Sequence, residues 1–274
     1  MEYKSSELKR LQEIEIEILQ DIIRVCEENG LHYWAYGGTL LGAIRHNGFI
    51  PWDDDIDIGM MRDDYEQFLR IAPKALKKGL TLQHFTVDEE TPTYFAKVRK
   101  DGTEFVEYYN RKMNIHHGIF VDIMPHDLIP ENERERSRYR RTAEWRKQLF
   151  IAKSVKDTTI TRGKYKILLH TMERRILHCI LLPISKKWLF DYLDLYLRKY
   201  NGSDSCLFTT RAMRVSENLL GDVFPLQKHQ FENIMINVPA NYDIVLRRNY
   251  GDYMKLPSSK NQTTHSPYVL SFGE

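Results

Sequence analysis

At 274 residues the chain can bury a full-sized core, as one large domain or two modest ones. With 42% hydrophobic and 28% charged residues it reads as a globular protein, and a net charge of +2 provides no global field that would require a nucleic-acid partner. No run is apolar and long enough to span a bilayer: the richest, residues 176–190, is broken by His178, Lys186 and Lys187.

Met1 to Arg10 is polar and no apolar run follows, so no export signal is expected. Cys26, Cys179 and Cys206 lack CxxC spacing and are expected as buried filler in a cytoplasmic chain. Residues 5–29 predict a helix, with Leu8, Leu11, Ile14 (or Glu15), Ile18, Ile22 and Val25 at three- and four-residue steps. Asn29-Gly30 stops it. LHYWAYGG reads as a buried strand ending in paired glycines, and TLLGAIRHNG as a short helix closed by a turn at Gly48 and Pro51. In WDDDIDIGM the acids alternate with apolar residues, so a strand there would place Asp53, Asp55 and Asp57 on one face.

Residues 62–76 predict a helix with Tyr65, Phe68, Leu69 and Ala72 on one side. Strands are expected at 80–85, 93–100, 103–109 and 118–125. After Pro130 the pattern turns helical, with two or three helices over 131–200 and a breaker near Pro183. The fold class is therefore α+β: a mixed sheet flanked by helices over 1–130, and a largely helical 131–274 that packs back on it.

Asp53, Asp54, Asp55 and Asp57 repel one another unless cations or water compensate them. Asp122, alone among the apolar residues of GIFVDIMP, is costly to bury without a partner. Either it pairs with an arginine, or, beside Asp55 and Asp57, it completes a cradle for hard divalent cations. Magnesium neutralises carboxylates and a transferring phosphate together. Gly37-Gly38-Thr39, opening a helix, lets backbone amides and a hydroxyl approach that phosphate.

YGGTLLGAIRHNGFIPWDDDIDIGM, FAKVRKDGT, GIFVDIMPHD and RRNYGDYMKLP together resemble the LicD family of phosphocholine transferases, whose relatives include fukutin and fukutin-related sugar-alcohol phosphate transferases. The resemblance is dense over 31–127 and thinner over 224–265. It implies a nucleotidyltransferase-like fold, with Asp55 and Asp57 as ligands of two Mg2+ or Mn2+ ions. It implies Asp122 as third ligand or base, with Asp53 a further ligand candidate. His265 matches a family histidine and is either a substrate contact or an exposed tail residue. His126 departs from the family's apolar habit and is expected in a surface turn.

Lys97 and Arg99 alternate along FAKVRK, and either hold the donor's phosphates or form a solvated edge; Arg45 is open in the same way. A choline headgroup would need an aromatic cage, for which Tyr36, Trp52, Tyr94, Tyr108 and Tyr109 stand near the motifs. The basic stretch from Arg134 to Lys147 is either a solvated face or a contact for anionic membrane or glycan.

The resemblance implies transfer of a phosphoalcohol from a CDP-alcohol, CDP-choline first, to a sugar hydroxyl of a glycan or glycolipid, with release of CMP. Ribitol or glycerol phosphate donors, transfer of a nucleoside monophosphate, a metal-dependent glycosyltransferase and a non-catalytic glycan binder are the alternatives.

Overall fold

The computed structural model describes residues 3–155, 174–210, 217–258, 262, 264 and 267–273. Helix α1 (Ser5–Glu28) ends before Gly30, whose φ of +66° suits the glycine that terminates it. Strand β1 (Trp34–Ala35) is only two residues long, because helix α2 (Gly37–His46) begins at the first of the paired glycines. Asn47 closes α2 in the left-handed region.

Strand β2 (Asp57–Met61) leads into α3 (Arg62–Ala75), followed by β3 (Leu80–Gln83), β4 (Ala96–Lys100), β5 (Glu104–Val106) and β6 (Phe120–Leu128). The main sheet runs β1-β2-β6-β4-β3. Within it β2 and β6 are parallel, and β4 is antiparallel to both β6 and β3. The end of β6 continues into β7 (Leu207–Thr209) and β8 (Asn218–Leu219). A mixed sheet with helices against it is the α+β class expected.

The core on this sheet gathers Leu11, Ile18 and Ile22 of α1, Ile58 and Met60 of β2, and Tyr65 and Phe68 of α3. Phe208, Phe231, Val238 and Leu246, all late in the chain, complete it. Phe231 and Val238 come from a hairpin, β9 (Gln227–Phe231) with β10 (Ile234–Val238), and Leu246 from helix α7 (Tyr242–Tyr250). Between β8 and β9 lies α6 (Leu220–Val223). A short strand, β11 (Val269–Ser271), pairs with β5.

A second cluster packs Phe85 and Tyr94 against Phe150 of α4 (Glu133–Ser154) and Leu189, Phe190 and Leu193 of α5 (Lys186–Leu197). Pro183 lies in the turn before α5, as the breaker reading requires. Arg62 links the two clusters. It is buried, holds both oxygens of Asp127 on β6 at 2.8 and 2.6 Å, and reaches Asp194 on α5 at 3.1 Å. Such a forked charge pair is specific in geometry as well as strong.

Three sequence expectations change. WDDDIDIGM is not a strand throughout: Asp53 to Ile56 are irregular and pairing starts at Asp57. The local reason is the α2–β2 turn, where Asp53 N–H donates to the Ile50 carbonyl (2.8 Å) and the Gln12 side chain donates to the Asp53 carbonyl (2.9 Å). His126 is fully buried in β6, not in a surface turn. Its ring packs 4.8 Å from Trp34 and 4.9 Å from Tyr36, and a Cβ on Gly59 would come within 2.7 Å of it. Of the cysteines only Cys26 is buried; Cys179 and Cys206 are exposed.

Candidate functional site

The parallel register of β2 and β6 sets Asp57 directly beside Asp122, and the antiparallel register of β6 and β4 sets Lys97 on the far side of Asp122. Residues in register point to the same face. One row across three adjacent strands thus reads carboxylate, carboxylate, ammonium. Lys97 Nζ lies 2.5 Å from Asp122 Oδ1 and 3.5 Å from the centre of the Phe120 ring. The buried partner anticipated for Asp122 is therefore a lysine, not an arginine.

Helix α2 begins over the same row. Tyr36 N–H donates to the Asp57 carbonyl (3.0 Å) and Asp57 N–H to Thr39 Oγ1 (2.8 Å), which lock β2 to the first turn of α2. The paired glycines make this approach sterically allowed. Gly37 has φ +55°, and a Cβ there would lie 3.4 Å from Asp57 Oδ2. A Cβ on Gly38 would lie 2.7 Å from Asp53 Oδ2. Acidic side chains so close to a helix N-terminus are favoured by its dipole, which offsets part of their mutual repulsion.

Burial dominates the electrostatics. It raises Asp57 well above the usual carboxylate range, with Asp55 and Asp122 adding repulsion and Lys97 opposing it. Asp122 is raised by burial too, against the pull of Lys97. Asp57 Oδ1 is buried without a hydrogen-bond partner. Asp54 is also buried and accepts from the Tyr3 hydroxyl (2.6 Å).

Two groups missed in the sequence face the same acids. Glu15 of α1 is buried, its Oε2 has no partner, and burial followed by Asp55, Asp54, Asp53 and Asp122 raises it well above the usual range. The available signal was a carboxylate at a position of the buried helical stripe. Tyr250, at the end of α7, is 44% exposed over the whole residue. Its hydroxyl is nonetheless pushed up to about 12, by burial and then by Asp57, Asp53 and Asp55. No local pattern marks it.

Other candidates are held elsewhere. Arg99 is buried and donates to Gln83 Oε1 (2.6 Å) and the Gly118 carbonyl (2.5 Å), feeling Asp122 only as a field. Arg45 donates to the Tyr253 carbonyl (2.7 Å) and contacts His46. His265 lies outside the described residues. Tyr36 packs on His126, Tyr94 joins the second cluster and Tyr108 meets Tyr268, so these three do not share one cage.

Among the described residues, no three His, Cys, Asp or Glu side chains stand ready-made around one ion position. The lysine on Asp122 Oδ1 is one reason. A cation still fits the chemistry of Asp57: its buried oxygen without a donor stands beside a second carboxylate and in the field of two more, with Lys97 the one positive charge named against them.

Residues 30–154 match a family described as LicD/FKTN/FKRP, nucleotidyltransferase domain. The chain is 28% identical to a Haemophilus influenzae lipopolysaccharide cholinephosphotransferase, LicD, over 97% of this chain and the whole of that protein. It is 49% identical to human ribitol 5-phosphate transferase FKRP over 43 residues, 16% of this chain and 9% of that one. Human ribitol-5-phosphate transferase FKTN matches at 32% over 25% of this chain and 14% of its own length. The matched segment holds every strand of the carboxylate row and the glycine turn above it, and it is over that segment that the chain is similar to the LicD family.

Proposed function

We propose that this protein is a phosphotransferase that moves a phosphoalcohol group, phosphocholine from CDP-choline first, onto a hydroxyl of a cell-surface glycan or its lipid-linked precursor, releasing CMP. The observation that carries it is the Asp57–Asp122–Lys97 row beneath the Gly37-Gly38 turn. Likeness to a lipopolysaccharide cholinephosphotransferase along almost the whole chain supports the donor and acceptor class.

Asp55, Asp57 and Asp122, with Asp53 alongside, would hold Mg2+ or Mn2+. When bound, such ions stabilise the attacking and departing oxygens of an in-line transfer at phosphorus. Lys97 supplies a fixed positive charge at the edge of the row and holds Asp122 in place. The glycine turn brings the N-terminus of α2 against Asp53 and Asp57, and amides at that end would favour the donor's diphosphate once cations neutralise the acids. Glu15 of α1 and Tyr250 of α7 lie within the electrostatic field of these acids.

The test is incubation with Mn2+ or Mg2+, a panel of CDP-choline, CDP-ribitol and CDP-glycerol, and a glycan acceptor. CMP release that depends on both acceptor and metal is expected. Pyrophosphate from a nucleoside triphosphate, with no CMP from any CDP-alcohol, would instead establish nucleotidyl transfer.

A further inference from the structure

Helices α4 and α5 carry an exposed face that the carboxylate site does not use. On α4, Arg134, Arg138, Arg141 and Trp145 follow one another at four-, three- and four-residue steps, so they form one stripe. On α5, Trp188, Tyr192 and Leu195 repeat that spacing, and Lys199, in the short 3-10 turn that follows the helix, continues it. Neither stripe contains an acid. Contacts between the helices align the stripes antiparallel: Trp145 meets Tyr192 at 6.4 Å, and Tyr192 stacks on Trp188 at 4.9 Å. At the opposite end, Arg134, Arg138, Arg141 and Lys199 border one open cavity of about 440 Å3.

The face is therefore divided along its length. One end is aromatic and apolar, with Trp145 55%, Trp188 52% and Leu195 71% exposed. The other is basic: the three arginines have no ion-pair partner among the described residues, while Glu135 beside them accepts from the Tyr200 hydroxyl. Large exposed tryptophans are costly in water but sit well at a membrane–water boundary, and unpaired arginines suit an anionic lipid surface. A purely solvated face would explain the arginines but not the tryptophans.

We propose that the α4–α5 face docks peripherally on an anionic phospholipid surface, with Trp145, Trp188 and Leu195 at the headgroup boundary and Arg134, Arg138, Arg141 and Lys199 against lipid phosphates. The proposal stands on this face alone and does not depend on the transferase reading. No helix among the described residues is long and apolar enough to cross a membrane.

The experiment is co-sedimentation of the full chain with vesicles of phosphatidylcholine alone, or with 30% phosphatidylglycerol, at low and high salt. Binding to the anionic vesicles, weakened by salt, is expected. An R134Q/R138Q/R141Q variant should bind them about a hundredfold more weakly, at roughly fivefold per charge removed. W145A/W188A should lose binding at both salt concentrations, and wild-type tryptophan emission should shift to the blue with vesicles. Circular dichroism confirms that each variant is folded. Equal binding to both vesicle types, or tryptophan variants that bind like wild type, would overturn the proposal. So would equal retention on a soluble polyanion that is insensitive to the tryptophans.

Discussion

At the scale of single residues, buried charge sets the main trade-off. Asp57 and Glu15 have carboxyls raised by burial and by neighbouring acids, so each ionised form destabilises the fold at neutral pH. The sign follows: a carboxyl raised in the folded state regains stability as pH falls through its raised value. Asp57→Asn should therefore unfold at a higher temperature in metal-free buffer, by on the order of 1 kcal/mol, while turnover falls at least about a hundredfold. Thermal melts with and without Mn2+ check it: the cation should stabilise the wild type and not the variant. Lys97 behaves oppositely. Its removal leaves Asp122 without its partner in the interior, so Lys97→Ala should cost about 3–5 kcal/mol by urea unfolding.

At the scale of elements, the glycines separate geometry from function. A Cβ at Gly42 would lie 2.4 Å from the Gly48 carbonyl, so α2 would have to leave the turn that follows it. Gly42→Ala should cost about 1–3 kcal/mol by thermal melting. Gly38→Ala meets only the end of the Asp53 side chain, which can swing aside. Its stability should change by less than about 1 kcal/mol, while activity drops tenfold or more as Asp53 is displaced. If Gly38→Ala is fully active, Asp53 has no part in the chemistry.

The elements also show what local pattern can and cannot give. The periodicity of α1, α3 and α5 was readable because each helix buries one stripe, and the helix of residues 62–76 was placed within a residue of its observed end. WDDDIDIGM differs because a local spacing of acids and apolar residues is compatible with a strand but does not pair it. The backbone hydrogen bonds of Asp53 go to a turn and to α1 instead.

For the whole molecule, two buried histidines, His126 within the sheet and His84 beside it, oppose on acidification the gain from Asp57 and Glu15. Burial lowers both His84 and His126 to about 4. Their neutral forms contribute stability that is complete above the unfolded value near 6.5 and is lost as pH falls toward 4, at up to about 1.4 kcal/mol per pH unit for each. Urea midpoints at pH 7.5 and 5.0, compared between wild type and His126→Phe so that the carboxyl contribution is common to both, should fall less on acidification in the variant. An unchanged slope in that variant would mean that His126 does not titrate with unfolding.

Local pattern alone was enough for the α+β class, the glycine turn and the identity of most acids near it, whereas the half after Pro130, read as largely helical, also contributes strands β7 to β11. The first three are local properties: side-chain period, backbone permissiveness, charge spacing. Only the tertiary fold brings Asp57, Asp122 and Lys97 into one row, ties Arg99 to Gln83 and Gly118, and sets Glu15 and Tyr250 in the field of the acids. Strand register and helix packing are set by hydrogen bonds and burial between segments distant along the chain, and no window of neighbouring residues contains that information.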